Sequence, residues 1–393
     1  MNLTAIDPAH LSLHDALPFD ILDADGAMLV PRGAPIGDER QLQRVRAAQP
    51  MADAEAYADW RRRREESADT GAPSDSPAPQ EASAADAAPP SPLTEARELP
   101  QRLSPLLRNA SLTPGWQVQI EGLALRVRRA VAHDADALLY LLVQRAARYH
   151  DNYSSEHALL CSVVCAMCAG QLGWSDGETQ ALLCAALTMN LSMTALQDEL
   201  AQRDRTPTLA QRRAIDQHAD DSVRLLRQSG IEDALWLGIV ALHHRNPDPE
   251  LPLAQLPAAQ RLAGVLHRVD VFTAKISARR SRAGLPAPLA ARDACLGPNG
   301  LPDTVGAATV KALSIYPPGS YVRLANSEIA VVLRRGERAD QPHVASIVAP
   351  NGRALSVPVL RDTAQARHEI RAAVRANEVR VPVSHEQVLA LLG

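Results

Sequence analysis

Five side chains carry the metal chemistry available to this sequence: His157, His218, His243 and His244, each on or at the end of a stretch with helical periodicity, and Asp270 inside another such stretch. Imidazole and carboxylate are ligands that a divalent cation takes, and ligands carried on helices can converge in a bundle core to make such a site. His267, one turn before Asp270, is a spare candidate whose position reads as solvated surface. A second pattern competes for attention. His157, Cys161, Cys165 and Cys168 are spaced by four, four and three, which places them on one helical face. One straight helix cannot wrap four ligands around a tetrahedral ion, and cysteine inside a helix behaves as a small core hydrophobe, so these thiols are read as packing. Gly-rich phosphate loops, a Gly-x-Ser-x-Gly elbow and a His-Glu-x-x-His pair are all missing from the sequence. Metal-dependent phosphate chemistry is the enzymatic reading that several residues share.

Those residues need helices to hold them. Amphipathic spacing predicts helices near 135–148, 154–172, 176–200, 208–229, 232–244 and 257–280. Ser175 with Glu178, and Thr208 with Gln211, are spaced as capping boxes, and Gly230 stands where a helix should stop. Before them, residues 1–64 read as a small module: apolar runs around Asp25-Gly26 signal a hairpin, closed by a helix from about Asp38 to Arg64. Residues 65–100, rich in Ala, Pro, Ser and acidic side chains, offer too little apolar surface to offset their ordering entropy and read as a disordered linker. Residues 101–315 form the helical domain. From 316 to 393 the pattern turns to β: runs at 321–324, 328–333 and 344–348, an Asn351-Gly352 turn before 355–360, and a short helix after Ser384. The fold class is mainly α, with a small β-containing module before the bundle and a β-rich extension after it.

Composition narrows the partners. Hydrophobic content of 46% over 393 residues supplies a sizeable core, and 41 basic against 45 acidic residues leave a net charge of −4. Neither nucleic acid nor an anionic membrane is advertised by that balance. Aromatic residues are 3%, too few to offer stacking platforms for single strands. The N-terminus lacks a basic region followed by an apolar run, and no run in the sequence reads as the roughly 20 apolar residues that span a bilayer, so the expectation is a cytoplasmic protein. Five cysteines are an odd number and read as free thiols.

Order and spacing over about 135–315 resemble the HD-GYP family of the HD phosphohydrolase superfamily, whose members hydrolyse cyclic di-GMP. Asp151-Asn152-Tyr153-Ser154-Ser155-Glu156-His157 is similar to the family's Asp-x-Tyr-Thr-x-x-His opening, which makes His157 its first metal-binding histidine. Asp216-Gln217-His218 and Ala241-Leu242-His243-His244-Arg245 resemble its later histidine elements, and Val269-Asp270-Val271-Phe272 its last metal carboxylate. Arg279 and Arg282 fall where the family contacts substrate phosphate. The stretch from Ile315 to Leu324 also resembles the extension that follows this module in relatives. The resemblance fails at two places. Met189 and Asn190 occupy the position of the defining His-Asp pair, with Met193 in place of a lysine, and 246–252 carries neither the glycine nor the tyrosine of the Gly-Tyr-Pro loop.

In the family that aspartate bridges two ions, and a water between them attacks the phosphodiester. A neutral amide at Asn190 cannot bridge two dications, and a Met189 thioether is a poor ligand for hard or borderline ions. The resemblance thus implies an HD-type bundle with no intact catalytic centre, holding one divalent ion (iron, manganese or zinc) on His218, His243 and His244, or none. The function expected first is a non-hydrolytic module binding cyclic di-GMP or a signalling protein. A residual phosphodiesterase with a mononuclear centre, and a scaffold acting through its β modules, are the alternatives; homodimerisation stays open.

Overall fold

The computed structural model describes residues 3–11, 17, 19–24, 28–30, 39–54, 56–58, 60–62, 90–110, 113–148, 152–245, 251–297 and 300–392. Two compact units emerge, 1–87 and 88–393. The expected disordered linker lies outside the described residues up to 89, as do the Asp25-Gly26 turn, Asp151 and 246–250 of the substituted loop.

The first unit is a four-stranded sheet of β1 (Leu3–Ala5), β2 (Ile21–Leu22), β3 (Met28–Val30) and β4 (Met51–Asp53), ordered β1-β4-β2-β3, with α1 over Glu39–Ala47. β2 and β3 pair antiparallel, as the hairpin signal requires. The single closing helix expected over 38–64 is instead interrupted by β4. Gln49 takes φ 51°, outside helical space, and Pro50 has no N–H to donate, so the chain turns there and re-enters the sheet. A small core of Leu11, Phe19, Ile21, Leu42, Val45 and Tyr57 closes the unit.

The second unit begins inside the expected linker. Helix α2 spans Pro92–Arg108, with Ser91 capping the amide of Thr94 and Pro92 in the first turn, where its missing N–H costs nothing. Its Leu99, Leu103, Leu106 and Leu107 are buried, which supplies the apolar face that the Pro-rich composition concealed. α3 (Trp116–Ala146) is broken at Asp134, where φ −153° and ψ 85° leave helical space and the carboxylate accepts from the Ala137 amide at 2.9 Å. The helix expected from 135 is therefore the second half of a longer element.

Next come α4 (Tyr153–Leu172), α5 (Asp176–Thr188), α6 (Thr194–Gln202), α7 (Leu209–Gln228), α8 (Ala234–Leu242), α9 (Ala258–Ile276), α10 (Ala287–Ala294) and α11 (Thr304–Leu313). Both capping boxes form, Ser175 with Glu178 and Thr208 with Gln211. α4 is buried almost throughout because α3, α5, α9 and α11 surround it, and its small side chains let those neighbours approach. Two spans, Tyr153–Leu172 and Asp176–Gln202, have the length and hydropathy to cross a membrane, where the sequence reading expects none. In the fold, 83% and 67% of their apolar windows are buried, so core packing accounts for that composition.

The helix expected over 176–200 stops at Thr188. Asn190 leaves helical space (φ −102°, ψ 18°), a single tight turn over Leu191–Met193 follows, and α6 starts afresh.

The β-rich tail forms a five-stranded antiparallel sheet of β5 (Tyr321–Leu324), β6 (Ile329–Arg334), β7 (His343–Val348), β8 (Ala354–Asp362) and β9 (Ile370–Val374), ordered β8-β7-β6-β5-β9. α12 (His385–Leu389) ends the chain, capped by Ser384. A boundary at 315/316 does not separate two bodies. Tyr321, Val331, Leu333, Ala345 and Ile347 belong to the same apolar core as the helices. Gln144 on α3 donates to the Gly319 carbonyl at 2.6 Å and accepts from the Tyr321 hydroxyl at 2.8 Å, both buried. Gly319 sits at φ +89°, and a Cβ there would lie 2.7 Å from the Tyr140 carbonyl oxygen, so only glycine lets the sheet sit this close to α3.

Candidate metal centre

His218 lies on α7, while His243 and His244 follow directly on the last turn of α8. The ends of those helices are fixed by their own chemistry. Asp233 accepts from the amides of Leu235 and Trp236 to start α8, and the Trp236 indole donates to the Thr188 hydroxyl at 2.9 Å, tying α8 to the end of α5. Ser192, in the turn after Asn190, donates to the His218 carbonyl at 3.0 Å, and the Ser222 hydroxyl lies 3.1 Å from the Ser192 oxygen. The turn that carries positions 189 and 190 is thus tied to the helix that carries His218.

The three imidazoles converge on one point. His218 Nε2 lies 3.1 Å from His243 Nε2 and 3.2 Å from His244 Nε2. His218 Nδ1 is 2.5 Å from the Ile215 carbonyl, and His243 Nδ1 is 2.7 Å from that of Val240. A carbonyl only accepts, so each Nδ1 carries the proton, and in a neutral ring the facing Nε2 is a bare lone pair. Burial, reinforced by the neighbouring His244, pushes His243 down to about 3, and burial lowers His244 as well. Two lone pairs 3.1 Å apart repel each other; a cation between them removes the repulsion. For a tetrahedral ion with metal–nitrogen bonds of about 2.0–2.1 Å, the ligand nitrogens stand about 3.3 Å apart. The observed separations fit, the orienting carbonyls supply what metal-bound histidines need behind them, and His244 lies at the exposed rim.

His157 and Asp270 form a separate group. His157 Nε2 is 2.8 Å from Asp270 Oδ1 and 3.7 Å from Cys161 Sγ, and both His157 and Cys161 are buried. Burial opposes the charge on each partner, but it is outweighed: Cys161 and Asp270 raise His157 well above the usual imidazole range, and His157 holds Asp270 down to about 2. His243 and His244 also act on Asp270 electrostatically. Tyr153 stacks on the His157 ring with centroids 5.7 Å apart.

Where the resemblance expects a His-Asp pair, Met189 is fully buried in the apolar core and Asn190 is buried beside it. Arg279 donates to the Tyr153 hydroxyl at 2.9 Å and lies over its ring, while its Nε has no hydrogen-bond partner. Arg282 donates to the carbonyls of Ala274 (2.6 Å) and Lys275 (3.4 Å) and so closes the end of α9.

Sequence reasoning placed His267 on solvated surface; the structure sets it half-buried and edge-on to His244, with ring centroids 5.9 Å apart. The Ser192–Ser222 link was also missed. A serine at each place carries no signal until α7 and the 189–193 turn are known to touch.

No family model matches the chain, and no curated protein matches it by sequence. Among solved structures, an HDG"Y"P protein from Bdellovibrio bacteriovorus aligns over 79% of this chain and 98% of its own, with a TM-score of 0.46 and 15% identity. At that identity, what this chain can do has to be read from its own side chains.

Proposed function

We propose that this chain is a degenerate HD-type module that holds one divalent cation on His218, His243 and His244 and acts as a non-hydrolytic receptor in cyclic di-GMP signalling. The observation that supports it best is the convergence of three imidazole Nε2 atoms within 3.2 Å of His218, next to a turn that offers the neutral Asn190 where a bridging carboxylate would be needed. Three histidines suffice for one ion. Without an anionic bridge, a second ion has nothing to share with the first, and the activated water of a two-metal phosphodiesterase is not generated. The guanidinium of Arg279, held by Tyr153 with its Nε unpaired, is the residue to receive a phosphate oxygen.

Calorimetry of the full chain with cyclic di-GMP, paired with a turnover assay in Mn²⁺ or Fe²⁺, tests this reading. Saturable binding without linear dinucleotide is expected. Absence of binding defeats the receptor role, and rapid cleavage abolished by His243→Ala establishes a mononuclear phosphodiesterase in its place.

A further inference from the structure

Hydrogen bonding alone does not serve Cys161 and Asp270 at once through His157. Both the carboxylate (2.8 Å) and the sulfur (3.7 Å) approach the same ring nitrogen, Nε2 of His157. One proton on that nitrogen can serve one of them. A nucleophile with a relay is equally ill served: in such a triad the base uses one ring nitrogen for the thiol and the other for the carboxylate, whereas here Nδ1 has no hydrogen-bond partner and Cys161 is 0% exposed. What satisfies three ligand atoms aimed at one point is a cation.

We propose that His157, Cys161 and Asp270 form a second metal site, separate from the three-histidine centre and selective for thiophilic divalent ions such as zinc. The ligand atoms already lie within 4.8 Å of one another. For a tetrahedral ion with a nitrogen bond of about 2.0 Å and a sulfur bond of about 2.3 Å, the N···S edge comes to about 3.5 Å. The observed 3.7 Å is close to it. The carboxylate, at 2.8 Å, has to withdraw by about half an ångström for an N···O edge of about 3.3 Å, and Asp270 has room to do so because its side chain retains 16% exposure. Charge supports the selection: a thiolate and a carboxylate together neutralise one dication, so the site needs no aspartate at 190. Sulfur favours zinc over manganese or magnesium, the reverse of an all-oxygen site. The ligands come from two helices, His157 and Cys161 one turn apart on α4 and Asp270 on α9. This geometry removes the objection that one straight helix cannot surround an ion, and it singles out one cysteine of the row. The other helix-borne thiols, Cys165, Cys168 and Cys184, are buried and belong to no ligand group among the described residues.

Cobalt(II) titration of the metal-stripped full chain reads the site directly, since a cobalt–thiolate bond gives a near-ultraviolet charge-transfer band that histidine ligation does not. The band is expected to grow and saturate by two equivalents in the unmodified chain, because the three histidines take cobalt as well, to vanish in Cys161→Ala, and to persist in Cys165→Ala and, saturating at one equivalent, in His243→Ala. Zinc should displace the band and manganese should not. A cobalt-loaded chain without the band, a band that survives Cys161→Ala, or one lost only in Cys165→Ala overturns the assignment. Because the unmodified chain gives the first readout, a misfolded variant does not shield the proposal. Its failure also leaves the three-histidine centre untouched, since that site is read by His243→Ala in manganese.

Discussion

Manganese should raise the melting temperature of this protein by an amount that can be worked out beforehand. The perturbation is addition of Mn²⁺ to the metal-stripped chain, chosen because manganese avoids the Cys161 sulfur and so leaves the thiol-containing group out of the readout. Ligand at about 100 times its dissociation constant stabilises the native state by about 2.7 kcal/mol. Unit 88–393 is one compact body, and at about 2.1 cal/mol/K per residue its unfolding entropy is about 0.6 kcal/mol/K. The quotient is a shift of about 4 °C. Each ligand's contribution is readable separately: His218 stands 3.1 and 3.2 Å from the other two nitrogens, so His218→Ala removes the ligand common to both contacts and should abolish the shift. His267→Ala, which removes only an edge-on neighbour of His244, should leave most of it. Differential scanning fluorimetry, with calorimetry to fix the affinity, is the assay. A melting temperature indifferent to manganese at concentrations that saturate ordinary three-histidine sites, or a shift of full size in His218→Ala, refutes the argument from converging lone pairs.

Restoring the lost pair in Met189→His with Asn190→Asp should let a bridged second ion load and bring manganese-dependent cleavage of cyclic di-GMP above background; continued inactivity with both ions bound places the block elsewhere. Glu328 accepts from both ends of the Arg361 guanidinium at 2.8 Å and from the Ser346 hydroxyl at 2.5 Å, so Glu328→Gln should cost about 3 kcal/mol in urea unfolding. Led by the Arg361 hydrogen bonds, these partners depress the Glu328 carboxyl from an ordinary 4.5 to about 2. Its stabilising contribution is therefore complete above about pH 4.5 and lost as pH falls toward 2. Across that window the stability of Glu328→Gln should fall less steeply with acid than that of the unmodified chain. Gly319→Ala should cost about 3 kcal/mol or more, combining a left-handed backbone with a Cβ pressed on the Tyr140 carbonyl, and thermal melts check it.

Local signals were the most legible part of the fold. Ser175 and Thr208 set helix starts because a capping side chain needs only its own next turn, and Gly230 ends α7 at φ +91° for an equally local reason. Elements whose stability comes from distant partners were harder to read. α2 hides behind Pro92, Pro100 and Pro105, and its leucines matter only once α3 is there to cover them. The stop at Asn190 went unread because 176–200 is apolar enough for one helix, while the break answers to Ser192 meeting α7. The same division runs through the site. Histidine spacing pointed to His218, His243 and His244. That Cys161 shares a ring nitrogen with a carboxylate from another helix is a tertiary fact, invisible in a row of evenly spaced thiols.

The buried bonds from Gln144 to Gly319 and Tyr321 bear on how this molecule can be cut. A fragment ending at 315 would strand an amide in an apolar crater and lay bare the helix flank that Leu333 and Ile347 now shield. Such a fragment should aggregate or melt rather than report on the ions. Dissection of this chain should therefore keep 88–393 whole.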